Sequence, residues 1–214
     1  LNTPEAPSDS VAELTIGLMV AAARSIALAD REMKAGEWPK KKLMGVELKG
    51  RTLGIVGLGR IGSRVARIAR AMGMRVIAYT RRADPKLVRE LGVELVDFET
   101  LLRESDVISI HVPLTPETYH MIGEREIVMM KDGVIIINTA RGGVIDEEAL
   151  LKALKSGKVA AAALDVFEEE PPRGVSAELA KLPNVVATPH IGGQTKEAQR
   201  TAAELAARKL IQFF

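Results

Sequence analysis

A glycine-rich loop between an apolar run and an amphipathic segment constrains this chain more than any other feature. The apolar run is 53–56, the loop is Gly57-Leu58-Gly59-Arg60-Ile61-Gly62, and the amphipathic segment is 63–72. We expect a strand, a tight turn and a helix N-terminus in that order, an arrangement that cradles a pyrophosphate. Gly57 permits the turn, Gly59 lets the backbone approach a phosphate, and Gly62 allows the helix to pack closely on the strand. Since the helix adds unpaired N–H groups and a positive dipole end, the loop predicts dinucleotide binding rather than a plain turn.

The composition is that of a globular domain and narrows the possible chemistry. The 214 residues are 47% hydrophobic and 27% charged with a net charge of +2, so the chain can bury a large core. Cysteine is absent, which excludes disulfides, thiolate metal sites and cysteine nucleophiles and suits the cytoplasm. We find no basic stripe with aromatics and no apolar run long enough to cross a bilayer. We therefore expect no nucleic-acid partner, no membrane partner and no metal.

Strand and helix patterns alternate along the chain after a long helix predicted at 9–36. The predicted strands are 52–56, 74–79, 106–110, 133–138, 159–164 and 184–187. The predicted helices are 60–72, 84–92, 98–104, 123–130, 146–156 and 195 to the end. Several of the strands are apolar on both faces, as buried parallel strands are. The alternation predicts an α/β fold with a doubly wound parallel sheet, a single Rossmann-type dinucleotide-binding domain over 1–214.

The helix predicted at 9–36 has two interpretations. Asp9 or Ser10 can cap its start and Gly36 can end it, while its apolar positions wrap widely around the axis. A helix buried on several sides fits a contact with another domain or subunit, and it fits packing inside this domain equally well. Together with 195–214, it would serve as a linking or packing helix.

Three polar side chains follow successive predicted strands, and the carboxyl ends of parallel strands meet at one edge of a sheet. Arg141 can hold a carboxylate by two hydrogen bonds, and His190 can accept and return a hydroxyl proton. Glu170 bonded to that histidine would fix its tautomer. Taken singly, each has a plain alternative. Arg141 could form a surface ion pair, Glu170 could be one of three loop glutamates, and His190 could cap a strand end. Their convergence beside a cofactor loop predicts hydride transfer at a hydroxylated carbon.

Over essentially its whole length, the chain resembles the D-isomer-specific 2-hydroxyacid dehydrogenases. The matching motifs are Val11-Ala12-Glu13-Leu14-Thr15, the strand and loop at 53–62, His111-Val112-Pro113-Leu114-Thr115, Asn138-Thr139-Ala140-Arg141-Gly142-Gly143, Ala163-Leu164-Asp165-Val166-Phe167 with Glu169-Glu170-Pro171, and Pro189-His190-Ile191-Gly192-Gly193. Within the family, Lys41-Lys42 and 195–199 look most like the phosphoglycerate-type members. The resemblance implies oxidation of a D-2-hydroxy acid, 3-phosphoglycerate being the expected substrate, by a homodimer of the full-length protein.

The resemblance also implies a role for each matching residue. Arg141 would bind the substrate carboxylate, His190 would act as acid and base, and Glu170, which directly precedes Pro171, would support it. Asp165 would bond the nicotinamide carboxamide, and Lys40 would reach a substrate phosphate across a dimer or simply be solvated. The other expected cofactor contacts are Gly57, Gly59, Arg60, Ile61, Gly62, Thr80, Arg81, Val112, Pro113, Thr139, Ala140, Gly192 and Gly193.

Two departures from the family pattern stand out. Where NAD-dependent members carry an acid after the second strand, this chain has Thr80-Arg81-Arg82. Without an acid to repel a 2′-phosphate, we expect NADP(H) to be accepted or preferred, the alternative being solvated arginines with NAD bound through Thr80. The family's separate substrate domain is also largely missing, so we expect a piece of a longer protein that binds cofactor but turns over little or nothing.

Other functions compete with the phosphoglycerate assignment. A glyoxylate or hydroxypyruvate reductase would use the same residues, and only the substrate domain would distinguish it. A non-catalytic nucleotide-sensing scaffold on the same fold is a further alternative, against which the intact Arg141, Glu170 and His190 argue. A formate dehydrogenase is disfavoured because that group places Gln where Glu170 stands. A methyltransferase would leave those three residues unexplained.

Overall fold

A parallel sheet of seven strands forms the centre of the computed structural model, which describes the backbone of residues 7–213 and the side chains of residues 7–210. The strands are β1 (Thr52–Val56), β2 (Arg75–Tyr79), β3 (Glu94–Leu95), β4 (Val107–Ile110), β5 (Val134–Asn138), β6 (Val159–Leu164) and β7 (Val185–Ala187). Their order is β3-β2-β1-β4-β5-β6-β7, and every neighbouring pair is parallel. The order reverses between β1 and β4, and this switch point is where ligands bind in such sheets. The predicted doubly wound α/β fold is confirmed.

Helices cover both faces of the sheet. Within the described residues they are α1 (Ser8–Ala23), α2 (Ile26–Lys34), α3 (Arg60–Ala71), α4 (Pro85–Leu91), α5 (Phe98–Glu104), α6 (Glu124–Met129), α7 (Glu147–Ser156), α8 (Gly174–Lys181) and α9 (Lys196–Phe213). In β5, Ile136 faces the core shared with α5, α6 and α7, while Ile137 faces the core shared with α1 and α3. Both are fully buried, each stabilising the fold by roughly 1.5–3 kcal/mol, which explains why the central positions of this strand are apolar on both faces.

The prediction of one helix over 9–36 is wrong, because the helix is interrupted at Arg24 and Ser25. Ser25 adopts a left-handed backbone with φ of 51°, and α1 and α2 are bent by 67°. α1 packs on β5, β6 and α3 and reaches the edge of the sheet at Ala23, whereas α2 has no buried residue. The helix therefore bends where the sheet beneath it ends, and of the two interpretations, packing inside this domain describes α1.

The predicted caps at the start of that helix are also wrong, whereas Gly36, with φ of 84°, follows the end of α2 as predicted. α1 begins at Ser8 after Pro7 and has no side-chain cap. Asp9 pairs instead with Arg64 of α3, and the hydroxyl of Ser10 lies 2.6 Å from that of Thr195. Both side chains thus tie α1 to neighbouring elements.

Three short elements were not predicted from the sequence. α8 follows two prolines, β3 has two exposed residues, and residues 40–42 form one 3₁₀ turn. β3 and the 3₁₀ turn are too short to show a periodicity, and the pair of prolines before α8 is typical of a loop. The remaining elements lie within two residues of their predicted bounds.

No single helix within residues 7–213 is long and apolar enough to span a membrane. The bent pair of α1 and α2 reaches the required length and composition only when the two are taken together. The buried residues of α1 pack against this sheet.

Candidate active site

Two neighbouring cavities open at the carboxyl edge of the sheet. The first, which we call the His190 cavity, has a volume of about 480 Å³. It is lined by Pro7, Val11, Ile61, His111, Val112, Pro113, Thr139, Ala140, Arg141, Asp165, His190, Gly192, Gly193, Gln194 and Gln199. The second, the Arg81 cavity, measures about 460 Å³. It is lined by Gly57, Gly59, Tyr79, Thr80, Arg81, Arg82, His111, Val112, Pro113, Thr115, Glu117, Thr118 and Met121. The two cavities share the wall formed by residues 111–113.

The glycine loop lies beside these cavities, and its three glycines have different surroundings. Gly57 has φ of +100°, and a Cβ there would lie 2.8 Å from the carbonyl oxygen of His111. A Cβ on Gly62 would lie 2.2 Å from the carbonyl oxygen of Gly57. A Cβ on Gly59 would meet no atom within 4 Å. The turn therefore requires glycine at position 57, and the packing of the helix on the loop requires glycine at position 62. Gly59 leaves an open approach to the N-terminus of α3, which begins at Arg60. This cradle fits a diphosphate at a helix N-terminus.

His190 and Glu170 form a hydrogen-bonded pair. His190 Nδ1 lies 2.8 Å from Glu170 Oε2, and the other carboxylate oxygen accepts the backbone N–H of Phe167 at 3.2 Å. Desolvation raises the pKa of Glu170, but the bonds from His190 and Phe167 and the nearby charge of Arg141 outweigh it and lower that pKa below its ordinary value. Glu170 is thus a carboxylate that holds the imidazole from behind, leaving Nε2 as the ring nitrogen not bonded to it.

Asp165 anchors the turn that carries His190. Its Oδ1 accepts the Thr188 hydroxyl at 2.6 Å and the Ile191 N–H at 2.9 Å, and its Oδ2 accepts the Gly192 N–H at 2.9 Å. His190, at φ of 53°, donates its own N–H to the carbonyl oxygen of Asp165. These bonds hold His190 in a left-handed backbone that a side-chain-bearing residue rarely adopts. No sequence motif indicates that Thr188 contacts Asp165. The expected contact of Asp165 with the nicotinamide carboxamide stays a prediction.

Arg141 stands on a turn built by Asn138. The Asn138 amide donates to the carbonyl oxygen of Arg141 at 2.9 Å and accepts the N–H of Ala140 at 3.0 Å. The hydroxyl of Thr139 lies 2.8 Å from that of Thr15, which ties this turn to α1. The turn places the exposed guanidinium of Arg141 at the rim of the His190 cavity.

Gly142 allows this turn to meet the loop that carries Glu170. A Cβ on Gly142 would lie 1.8 Å from the carbonyl oxygen of Phe167. No side chain fits there, so the residue after Arg141 must be glycine for the Glu170 loop to lie where it does. The sequence motif contains this glycine but did not indicate its partner.

A second layer of acidic residues holds the same loop from its outer side. Glu147, buried at the start of α7, accepts the N–H of Glu168 at 2.8 Å and the hydroxyl of Ser176, and Glu168 accepts the N–H of Glu147 at 3.2 Å. Burial raises the pKa of Glu147 despite these bonds. His120 Nε2 lies 2.9 Å from Glu168 Oε1. None of these residues was singled out from the sequence, because the paired residues lie about twenty or more positions apart in the chain.

The Arg81 cavity contains the residues expected to face the adenosine side. The Thr80 hydroxyl donates to the carbonyl oxygen of Arg82 at 3.2 Å, and the arginine side chains are exposed. The ring of His111 lies between the two cavities, with Nε2 bonded to Ser109 and a buried Nδ1 that has no partner among the described residues. Burial lowers the pKa of His111 to about 3, so this ring is neutral.

Of the predicted site residues, Lys40 is not brought to either cavity. It lies in the 3₁₀ turn, and the segment after it packs beside Ala23, with Val46 donating its N–H to Ala23 at 2.9 Å. That segment lies by Gly133 and Asn184, at the amino ends of the strands. Lys40 therefore lies away from both cavities of its own chain, and a contact across a dimer stays a prediction. Arg60 and Gly62 belong to the cradle, and Glu170 lies behind His190 rather than in the cavity wall.

A glycine cradle at the switch point of a seven-stranded parallel sheet defines an NAD-binding domain of the Rossmann type. Residues 16–192 match the family model described as D-isomer specific 2-hydroxyacid dehydrogenase, NAD binding domain. This chain belongs to that family.

Similar proteins carry several names. The chain is 58% identical over 94% of its length to the hydroxypyruvate reductase of Thermotoga maritima, of which it covers 65%. It is 52% identical over 98% of its length to the D-3-phosphoglycerate dehydrogenase of Methanocaldococcus jannaschii, covering 40% of that protein. The crystal structure of a glyoxylate reductase from Paecilomyes thermophila matches with a TM-score of 0.91 and 44% identity over 97% of this chain and 62% of that one. The chain thus spans less than two thirds of these relatives.

Proposed function

We propose that the full-length protein transfers a hydride between a nicotinamide dinucleotide and a D-2-hydroxy acid. The observation that carries this proposal is that His190, held from behind by Glu170, lines with Arg141 a cavity next to the glycine cradle. A proton-transfer group and a carboxylate-binding cation beside a dinucleotide groove are what the reaction requires.

Each of the three side chains has one task in this proposal. A nicotinamide dinucleotide held at the glycine cradle would supply or accept the hydride at C2 of the acid. Arg141 holds the substrate carboxylate through its guanidinium and so orients C2. Glu170 keeps a proton on Nδ1 of His190, so that Nε2 removes the hydroxyl proton in oxidation and returns it in reduction. Asp165 and Thr188 keep the imidazole at this position.

As substrate we propose a small unphosphorylated 2-oxo acid of the glyoxylate and hydroxypyruvate class. Arg141 is the only Lys or Arg among the described residues that line the His190 cavity. One guanidinium is sufficient for a carboxylate, whereas a phosphate calls for further cations, which this domain does not place at that cavity and the substrate domain would have to supply. Relatives named hydroxypyruvate reductase and glyoxylate reductase support this class.

A second candidate is the phosphoglycerate reaction expected from the sequence motifs. It is supported by the relative named D-3-phosphoglycerate dehydrogenase. In this case the additional cations would come from the substrate domain or from a partner subunit.

We further propose that NADP(H) is accepted beside NAD(H). Thr80 occupies the position after β2 where an acid would repel a 2′-phosphate, and Arg81 and Arg82 follow it at the cavity wall. Guanidinium groups pair well with phosphates, which supports this proposal.

The test is an assay of the full-length enzyme on glyoxylate, hydroxypyruvate and 3-phosphohydroxypyruvate with NADH and with NADPH. His190→Ala should lower kcat by about 10²–10⁴ while leaving cofactor affinity unchanged. His120→Ala is the comparison variant, because its imidazole supports the Glu170 loop through Glu168 without lining the His190 cavity, so its kcat should fall far less than that of His190→Ala. A His190→Ala enzyme with wild-type turnover would contradict the proposal, and an inactive wild type that binds cofactor would favour the scaffold alternative.

The homodimer expected from the sequence remains a proposal. Its support is the exposed apolar surface of α2 and the segment after it, where Met33 and Trp38 are 51% and 75% exposed. Light scattering of the full-length protein tests it, and a monomer would refute it.

A further inference from the structure

An acidic residue from a distant loop lies in the wall of the Arg81 cavity. Glu117, in the segment between β4 and α6, has its Oε2 3.8 Å from the guanidinium of Arg81. The same oxygen accepts the hydroxyl of Thr115 at 2.7 Å, which fixes the direction of the carboxylate. Among the described residues that line this cavity, Glu117 is the sole acid, while Arg81 and Arg82 are the cations.

Glu117 changes the charge of the cavity that the residues after β2 line. Thr80 leaves that strand end without an acid, yet the fold brings a carboxylate to the same cavity from 36 positions beyond Arg81. The cavity wall therefore carries two positive charges and one negative charge instead of two positive charges alone. The hydrogen bond from Thr115 lowers the pKa of Glu117, so the group is charged at neutral pH.

The charge of Glu117 acts differently on the two cofactors. A 2′-phosphate paired with Arg81 would replace Glu117 at that guanidinium and lie close to its carboxylate, which opposes binding. The ribose hydroxyls of NADH carry no charge and meet no such repulsion. Since both side chains are more than half exposed, solvent and salt weaken the effect without removing it.

We propose that Glu117 is a specificity-determining residue that weakens NADP(H) binding relative to NAD(H), so that the protein takes both cofactors instead of selecting NADP(H). This inference rests on the proposed use of residues 80–82 as the subsite for the ribose and its 2′-phosphate.

The test is the dissociation constant of each cofactor for Glu117→Gln, measured by fluorescence titration of the full-length protein at low salt. The variant keeps an oxygen that accepts the Thr115 hydroxyl but removes the charge. NADPH should bind about three- to tenfold more tightly than in the wild type, the gain shrinking as salt is added, and NADH should change by less than about twofold. Glu37→Gln, which removes an exposed acid between α2 and the 3₁₀ turn, controls for net charge and should leave both constants unchanged.

Arg81→Gln separates the inference from the proposal beneath it. If Arg81→Gln weakens NADPH binding while Glu117→Gln leaves it unaltered, the subsite stands and the role of Glu117 is overturned. If neither variant changes NADPH binding, both the subsite and the role of Glu117 are wrong. If Glu117→Gln tightens NADH as much as NADPH, the carboxylate acts on the shared part of the cofactor and the inference also fails.

Discussion

Replacing Gly59 by Ala should weaken cofactor binding without destabilising the fold. The residue lies at the N-terminus of α3 with φ of −86°, and an added Cβ would meet no atom within 4 Å. Lower freedom of the unfolded chain favours the variant by about 0.4–1 kcal/mol, and the poorer helix cap costs about as much. Because about 1 kcal/mol shifts Tm by about 2–4 °C at this size, Tm should stay within about 2 °C of the wild type.

Cofactor binding should respond differently, because the new methyl group points into the open space through which a diphosphate reaches α3. The loss of one charge-assisted hydrogen bond costs about 1.5–3 kcal/mol, which corresponds to a dissociation constant roughly 10- to 150-fold higher. Fluorescence titration with NADH and thermal unfolding of the same sample measure the two quantities independently.

Gly62→Ala is the matched control, because its Cβ would lie 2.2 Å from the carbonyl oxygen of Gly57 and 3.1 Å from Ile55 Cγ2. Overpacking of this kind costs about 1–3 kcal/mol, so this variant should unfold at a clearly lower temperature. The reasoning is refuted if Gly59→Ala binds NADH as the wild type does, or if it unfolds as early as Gly62→Ala.

Two further predictions concern the loop that carries Glu170. Gly142→Ala would place a methyl group 1.8 Å from the carbonyl oxygen of Phe167, so the loop must shift; kcat of the full-length enzyme should fall with NADH affinity retained, and unchanged kcat would show that the contact has no role. Glu147→Gln tests how stability depends on pH. Because the pKa of Glu147 in the folded protein is raised above the ordinary 4.5, the contribution of this side chain to stability is fully present below pH 4.5 and is lost as pH rises through the raised pKa. The Tm of the variant should therefore gain on that of the wild type as pH rises above about 4.5 and through the raised pKa, and a constant difference would contradict the shift.

The elements of the sheet and the glycine cradle could be predicted from the sequence, because their causes are local. A run such as Val134-Ile135-Ile136-Ile137 is apolar at every position, which only a strand buried on both faces requires. Gly57, Gly59 and Gly62 stand within six residues of one another, so their spacing already describes the turn. Parallel strands bring their carboxyl ends to one edge, and this rule alone places Arg141 and His190 at the same side of the sheet.

The remaining features of the fold and site depend on contacts between residues far apart in the chain, and the hydrophobic periodicity of the sequence does not reveal such contacts. The break after α1 occurs where the sheet beneath the helix ends, and α1 is tied to the turn after β5 by the contact of Thr15 with Thr139. The turn of His190 is held by Asp165, and Glu117 adds a negative charge to the wall of the Arg81 cavity. Sequence determined which backbone could form and at which edge polar groups would collect. Only tertiary packing decided which side chains meet there, because the energy of each pairing depends on distances that folding alone creates.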